Sequence, residues 1–200
     1  MNFLIKQMTA MDEDCLHTLV QEHARPGMIV IELGTYTGSS AMAMLDTIKA
    51  NNGHLHCVDW FKGNPGVDCL IASCAKDNVV GVLEANLAEG GYGDCTTIHV
   101  GRTDEAHPSF PDGMADIIFI DAEHTYSAIK RDLENWWPKL KPGGMMCGHD
   151  FEKQLDELDP NEVERNCEID CVNVHHGVIR AVGERFGIVG KTGTIWWVVK

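Results

Sequence analysis

The sequence predicts an α/β fold: a doubly wound, mostly parallel sheet of seven strands, closed by a C-terminal antiparallel hairpin. Three observations carry that prediction. Short strand-like runs recur at 28–33, 54–58, 96–100, 117–120 and 143–148, and the run Ile117-Ile118-Phe119-Ile120 has no interior charge, as in a strand buried on both faces. Stretches with helical periodicity fill the intervals, the alternation that builds a parallel sheet. Two last runs, Ile188-Val189-Gly190 and 194–199, flank Lys191-Thr192-Gly193, a hairpin signal.

Each element has a local reason. Thr9-Ala10-Met11-Asp12 reads as a capped helix start, with Leu16, Leu19 and Val20 on the apolar face and Pro26-Gly27 as the stop. After the first strand a helix spans Ser39 to Ala50 and ends at Asn51-Asn52-Gly53. Residues 60–68, with Gly63, Pro65 and Gly66, read as a loop. A single helix is expected over much of 69–88, broken by Gly90-Gly91. Thr125 is expected to cap a helix through Ile129, Leu133 and Trp136 that stops at Pro138, and Lys141-Pro142-Gly143-Gly144 to turn into the fifth strand. Residues 151–174 are charged and weakly periodic and read as a long loop or lid, and Gly177 to Phe186 reads as a helix.

Two hundred residues fit one domain over 1–200, with an N-terminal helical segment at 1–27. A hydrophobic fraction of 44% and a charged fraction of 23% are those of a soluble globular chain. A formal charge of −14 argues against a nucleic-acid partner, which needs clustered Lys and Arg to neutralise phosphates. The N-terminus lacks the apolar core of a signal peptide and no run reaches membrane-spanning length, so the chain reads as cytoplasmic, with no membrane partner. Eight cysteines are dilute at this length and read as reduced core residues. Cys167, Cys171, His175 and His176 match no standard zinc spacing.

The chemistry collects at strand tips, just outside which ligands bind in open α/β sheets. One run ends in Asp121 with His124 three residues on, and the next ends in His149-Asp150. Taken singly, each has a structural reading: Asp121 as a helix cap, His124 as a loop histidine bonded to backbone, Asp150 as a solvated loop residue. As a cluster on adjacent tips they read as functional. His149 is the weakest member, because neighbours on an extended segment point to opposite sides. Glu32-Leu33-Gly34-Thr35-Tyr36-Thr37-Gly38-Ser39-Ser40 follows the first strand and opens a helix, where glycines admit a ligand to the backbone. It is neither a dinucleotide nor a phosphate-loop motif, and Glu32 would repel a pyrophosphate. With Asp59 ending the second strand, it favours a nucleoside bearing an amino acid.

These residues resemble the class I S-adenosylmethionine-dependent methyltransferases, from about Met28 to Lys200. The 32–40 segment is similar to motif I of catechol O-methyltransferase-like enzymes. Phe119-Ile120-Asp121-Ala122-Glu123-His124-Thr125-Tyr126, then Leu140-Lys141-Pro142-Gly143-Gly144 and Gly148-His149-Asp150-Phe151, resembles the macrocin O-methyltransferase-like group. The resemblance implies a Rossmann-like sheet and methyl transfer from S-adenosylmethionine to a hydroxyl of a small-molecule acceptor, assisted by a divalent metal. It implies a methionine site at Glu32, Gly34, Thr35, Tyr36, Gly38 and Ser39, ribose at Asp59, and adenine near Trp60, Gly101, Arg102 and Thr103. It makes Asp121 and Asp150 metal ligands, with Asp121 also bordering the cofactor, and His124 the catalytic base. The catechol-type enzymes carry Asp-Asn where this chain has His149-Asp150. Oxygen ligands favour Mg²⁺, whereas an imidazole from His149 shifts the site towards a transition metal. A lid at 151–176 over the acceptor, and a homodimer, are compatible with the sequence. Two other readings stay open: a metal-dependent oxidase or hydroxylase built on His124, His149 and one Asp, and a non-catalytic cofactor-binding domain.

Overall fold

The computed structural model describes residues 8–170 and 173–200. Thr9 and Asp12 make the reciprocal capping box, so α1 runs Ala10–Glu22. There follow β1 (Ile29–Leu33), α2 (Ser39–Ala50), β2 (His54–Asp59), α3 (Asp68–Lys76), α4 (Val79–Gly90) and β3 (Thr96–Val100). Next come the single turn α5 (Thr103–Ala106), β4 (Ala115–Ile120), α6 (Tyr126–Trp136), β5 (Leu140–Gly148), α7 (Pro160–Asn166), α8 (His176–Phe186), β6 (Gly190–Thr192) and β7 (Ile195–Val199).

The seven strands form one sheet in the order β3-β2-β1-β4-β5-β7-β6. The first five are parallel, while β7 runs antiparallel to β5 and β6 to β7. This is the predicted doubly wound sheet. Strand alternation divides the core. Val30, Leu55, Ile117, Phe119 and Met145 pack against α1, α2 and α4, while Ile31, Leu33, Ile118, Ile120 and Met146 pack against α6 and α8. Every residue of β4 is buried. The chain leaves β1 towards β2 and β3, then returns to place β4 on the other side of β1. The crevice at the carboxyl ends of β1 and β4 is therefore the switch point.

Several local expectations are corrected. The helix expected over 69–88 is two, because Asp77 is extended and the Asn78 side chain accepts from Gly81 N–H at 3.2 Å, restarting the helix as α4. Thr125 holds the N-cap position of α6, but its hydroxyl donates to Glu123 at 2.8 Å and caps nothing. Pro142-Gly143-Gly144 lies inside β5, where the register against β4 slips between Ala115 and Ile117 around Gly143 at φ +76°. The segment after β5 is not all loop, since Asp159 caps α7 and Pro160 opens it. In the hairpin, Lys191 and Thr192 belong to β6, and the chain turns at Gly193-Thr194. No helix among the described residues is long and apolar enough to cross a membrane.

Candidate functional site

The loop after β1 is shaped by its contacts with the neighbouring strand tips. Gly34 N–H donates to Val58 O at 2.9 Å and Asp121 N–H to Leu33 O at 2.8 Å. Gly34 sits at φ +85°, and a methyl group built on it would lie 2.5 Å from the Asp121 carbonyl carbon and 2.7 Å from Ala122 Cα. Only glycine allows that approach. Tyr36 is also left-handed, at φ +47°, which turns its N–H onto Asp59 Oδ2 at 2.8 Å; Phe61 N–H takes Asp59 Oδ1 at 2.7 Å. Gly38, at φ +89°, starts α2 without a side-chain cap.

These turns border a cleft of about 750 Å³, open to solvent. Of the residues expected at a cofactor, Gly34, Tyr36, Asp59, Trp60, Gly101, Arg102, Thr103 and Asp121 line it. Thr35 and Ser39 line a smaller adjoining hollow with Met8. Glu32 and Gly38 line neither. Glu32 is fully buried beneath the loop, where Ser40 donates to it and Oε2 has no hydrogen-bond partner. Burial pushes its carboxyl up to about 7. Trp60 is flanked by cations, with the Arg102 guanidinium 5.1 Å and Lys62 Nζ 5.9 Å from the ring centroid. Thr103 donates to Asp132 at 2.7 Å, and burial raises the Asp132 carboxyl to about 7. Asp132, Arg131 and Asn64 also line the cleft, although their positions within helix and loop patterns gave no signal.

At the tips of β4 and β5 the predicted cluster is assembled. His124 Nε2 lies 3.4 Å from Asp121 Oδ1 and 3.2 Å from Asp150 Oδ2. His149 Nδ1 lies 3.6 Å from Asp121 Oδ1 and 3.2 Å from Asp150 Oδ1. The expectation that His149 and Asp150 face apart is wrong, because Asp150 is left-handed at φ +60° and the chain folds both side chains to one side. Burial works against charge here, but the surrounding carboxylates outweigh it. His149 is raised to about 11 by Asp121 and Asp150, and His124 is raised well above the ordinary imidazole range by Asp121, Asp170 and Asp150. Asp121 is correspondingly held below the ordinary carboxylate range by His149 and His124.

Two members of this cluster, Asp170 and Asp12, escaped sequence reading, and His175, considered there only for its Cys/His spacing, joins them. Asp170 Oδ1 is 2.9 Å from His124 Nδ1, Asp12 Oδ2 is 3.7 Å from His149 Nε2, and His175 Nδ1 is 3.5 Å from Asp150 Oδ1 and 2.8 Å from Glu152 Oε1. Nothing local marks them, since each is brought in by tertiary packing. Of the other Cys/His positions, Cys171 lies outside the described residues. Cys167 donates to Glu164 O, and His176 is buried 3.4 Å from Glu162 without a hydrogen bond.

A family model described as a methyltransferase domain matches residues 31–151. An uncharacterized protein of Sinorhizobium fredii is 26% identical over 132 residues, which is 65% of this chain and 14% of that protein. The chain thus spans only a small part of that relative. A Corynebacterium glutamicum protein of known structure superposes with a TM-score of 0.67 at 17% identity, over 98% of this chain and 83% of that one. A candidate caffeoyl-CoA O-methyltransferase from Staphylococcus aureus gives 0.66 at 16%, over 98% and 85%, and the O-methyltransferase NovP gives 0.64 at 16%, over 95% and 79%. At these identities the structures show the fold alone. The match over 31–151 covers β1 through the tip of β5, the strands and loops that border the cleft. The chain therefore belongs to the methyltransferase-domain family, with the fold of the class I S-adenosylmethionine-dependent enzymes.

Proposed function

We propose that this chain transfers a methyl group from S-adenosylmethionine to a hydroxyl of a small-molecule acceptor, with a divalent ion at the β4 and β5 tips. The observation that carries the reading is that Asp121 and His124 line the same cleft as Gly34, Tyr36 and Asp59, with Asp150 3.2 Å from His124. Asp59 and the Gly34–Tyr36 backbone offer the ribose and methionine portions their partners. Asp121 stands where both ligands would meet.

Methyl transfer is an in-line displacement, which needs positioning and a deprotonated nucleophile. His124 Nε2 is buried without a hydrogen-bond partner and directed at Asp121 and Asp150, as a base serving an acceptor there must be. The donor set fits a metal. Asp121, His149 and Asp150 each offer one atom within 4.8 Å of the others, and the remaining carboxylates leave the cluster anionic. A bound dication would offset Asp121 and Asp150, return His124 to the range in which it accepts a proton, and polarise the acceptor hydroxyl. The mixed N/O donors favour a first-row transition ion over Mg²⁺. A second reading is favoured by one observation: His124, His175 and Asp150 form the two-histidine, one-carboxylate set of iron oxygenases. Iron retained after purification, with oxygen uptake and no methyl transfer, would select it.

The deciding experiment is calorimetric titration with S-adenosylhomocysteine, with Mn²⁺ or Mg²⁺ and after chelation. Micromolar binding in all three is expected. Asp59→Ala should weaken it at least tenfold, whereas His124→Ala should leave it intact and abolish turnover. No binding in any condition refutes the proposal.

A further inference from the structure

We propose that Asp170 is the positioning residue of His124, fixing its ring with Nε2 towards Asp121 and Asp150 and tying it to the loop that walls the cleft. The Asp170 side chain is 3% exposed. Its Oδ1 lies 2.9 Å from His124 Nδ1, and its Oδ2 accepts the backbone N–H of the same histidine at 3.2 Å. A carboxylate that holds both the ring and the main chain of one residue leaves that side chain little rotational freedom. With Nδ1 committed as the donor, Nε2 is the nitrogen that faces the site. Asp170 Oδ2 also accepts from Asn64 Nδ2 at 3.2 Å, and Asn64 donates to Ala122 O at 2.7 Å. The loops after β2 and β4 thus close on one carboxylate.

Asp170 reaches this place because its segment docks on the start of α6. Tyr126 N–H donates to Cys167 O at 2.7 Å, and Ser127 Oγ to Glu168 at 2.9 Å. Gly177 permits the approach, since a methyl group there would lie 2.5 Å from Tyr126 N and 2.6 Å from Cys167 O. The same clamp recurs next door. Glu152 takes the His175 ring at 2.8 Å and the His175 backbone N–H at 3.0 Å, and the two rings meet edge-on with centroids 5.0 Å apart. Asp170 lies outside residues 31–151, which the family model matches.

This inference rests on His124 being the base, and its test keeps the two apart. Nitrogen-detected imidazole NMR reads the clamp directly. An exchange-protected Nδ1–H on His124 is expected in the wild-type protein, lost in Asp170→Asn, which can accept only one of the two N–H groups, and partly restored in Asp170→Glu. In methyl transfer from S-adenosylmethionine to a catechol probe, Asp170→Asn should lower kcat about 10- to 100-fold, the range found when a metal-binding histidine loses its outer carboxylate. S-adenosylhomocysteine affinity should change less than about threefold. An unprotected ring proton in the wild-type protein overturns the proposal, as does an Asp170→Asn enzyme within twofold of wild-type kcat. If no methyl is transferred while the ring proton behaves as expected, the functional reading falls and the positioning role stands. Should Asp170→Asn not fold, the wild-type ring proton decides alone.

Discussion

Gly34 and Gly66 offer a controlled comparison, because both sit at φ +85° but in different surroundings. A methyl group on Gly66 meets nothing within 4 Å. Gly66→Ala therefore measures conformational strain alone, about 1 kcal/mol, after the stabilisation that any Gly→Ala change gains from the unfolded chain. On Gly34 the same methyl lies 2.5 Å from the Asp121 carbonyl carbon, whereas carbon atoms rest about 3.5–4.0 Å apart. The β1 loop and the β4 tip would have to separate by about 1 Å. Neither can rotate away, since Gly34 N–H is bonded to Val58 O and Asp121 N–H to Leu33 O. Overpacking against backbone on both sides adds about 2–3 kcal/mol to the strain. For a domain of this size, Gly34→Ala should lower Tm by about 6–15 °C and Gly66→Ala by about 2–4 °C. The assay is a pair of thermal melts with S-adenosylhomocysteine titrations on the folded fraction. Because Asp121 moves with the β4 tip, Gly34→Ala should also lose most affinity for that ligand while Gly66→Ala keeps it. Equal Tm shifts in the two variants would refute the close approach and the site geometry built on it.

Two further predictions concern parts of the fold away from the cluster. His56 packs with His99 at 3.0 Å and beside His54, and burial together with those two imidazoles pushes it down to about 4. A folded value below the unfolded one of about 6.5 means the protein loses stability as pH falls from 6.5 towards 4 and nothing above that range. Discounted for partial exposure, the wild-type protein should lose about 1 kcal/mol more than His56→Gln between pH 7.5 and pH 5 in denaturant titrations; equal losses would show that His56 is not desolvated. Asp116 is buried near the start of β4, where it accepts Ile29 N–H at 2.6 Å and pairs with Lys141 at 2.7 Å and with Arg25. Asp116→Ala strands that N–H and should cost about 2–3 kcal/mol without changing ligand affinity at the far end of the sheet; a coupled loss of affinity would contradict that separation.

What could be read in the sequence was local. An apolar run that ends abruptly in Asp121 marks a strand tip, since burial on both faces leaves no room for polarity before the end. Glycines at 34 and 38 mark a turn because side chains resist the left-handed backbone found there. The break at Asp77-Asn78 is hidden because apolar residues on both sides keep a helical rhythm across a cap that only hydrogen bonding reveals. That His149 faces the same side as Asp150 is hidden from the sequence, because strand alternation presumes an extended Asp150 and one left-handed residue reverses it.

The sequence by itself determined the alternation of strands and helices and the strand tips that carry Gly34, Asp59, Asp121 and Asp150, because periodicity and turn chemistry act within a few residues. Only the tertiary structure decided what surrounds those tips. Asp170 lies 46 residues from His124 in the chain, and Asp12 lies 182 residues from the Thr194 N–H that holds its Oδ1 at 2.9 Å. Contacts at such separations leave no period in a sequence. They exist because packing α1 against the terminal hairpin and the segment before α8 against α6 brings Asp12 to His149 and Asp170 to His124.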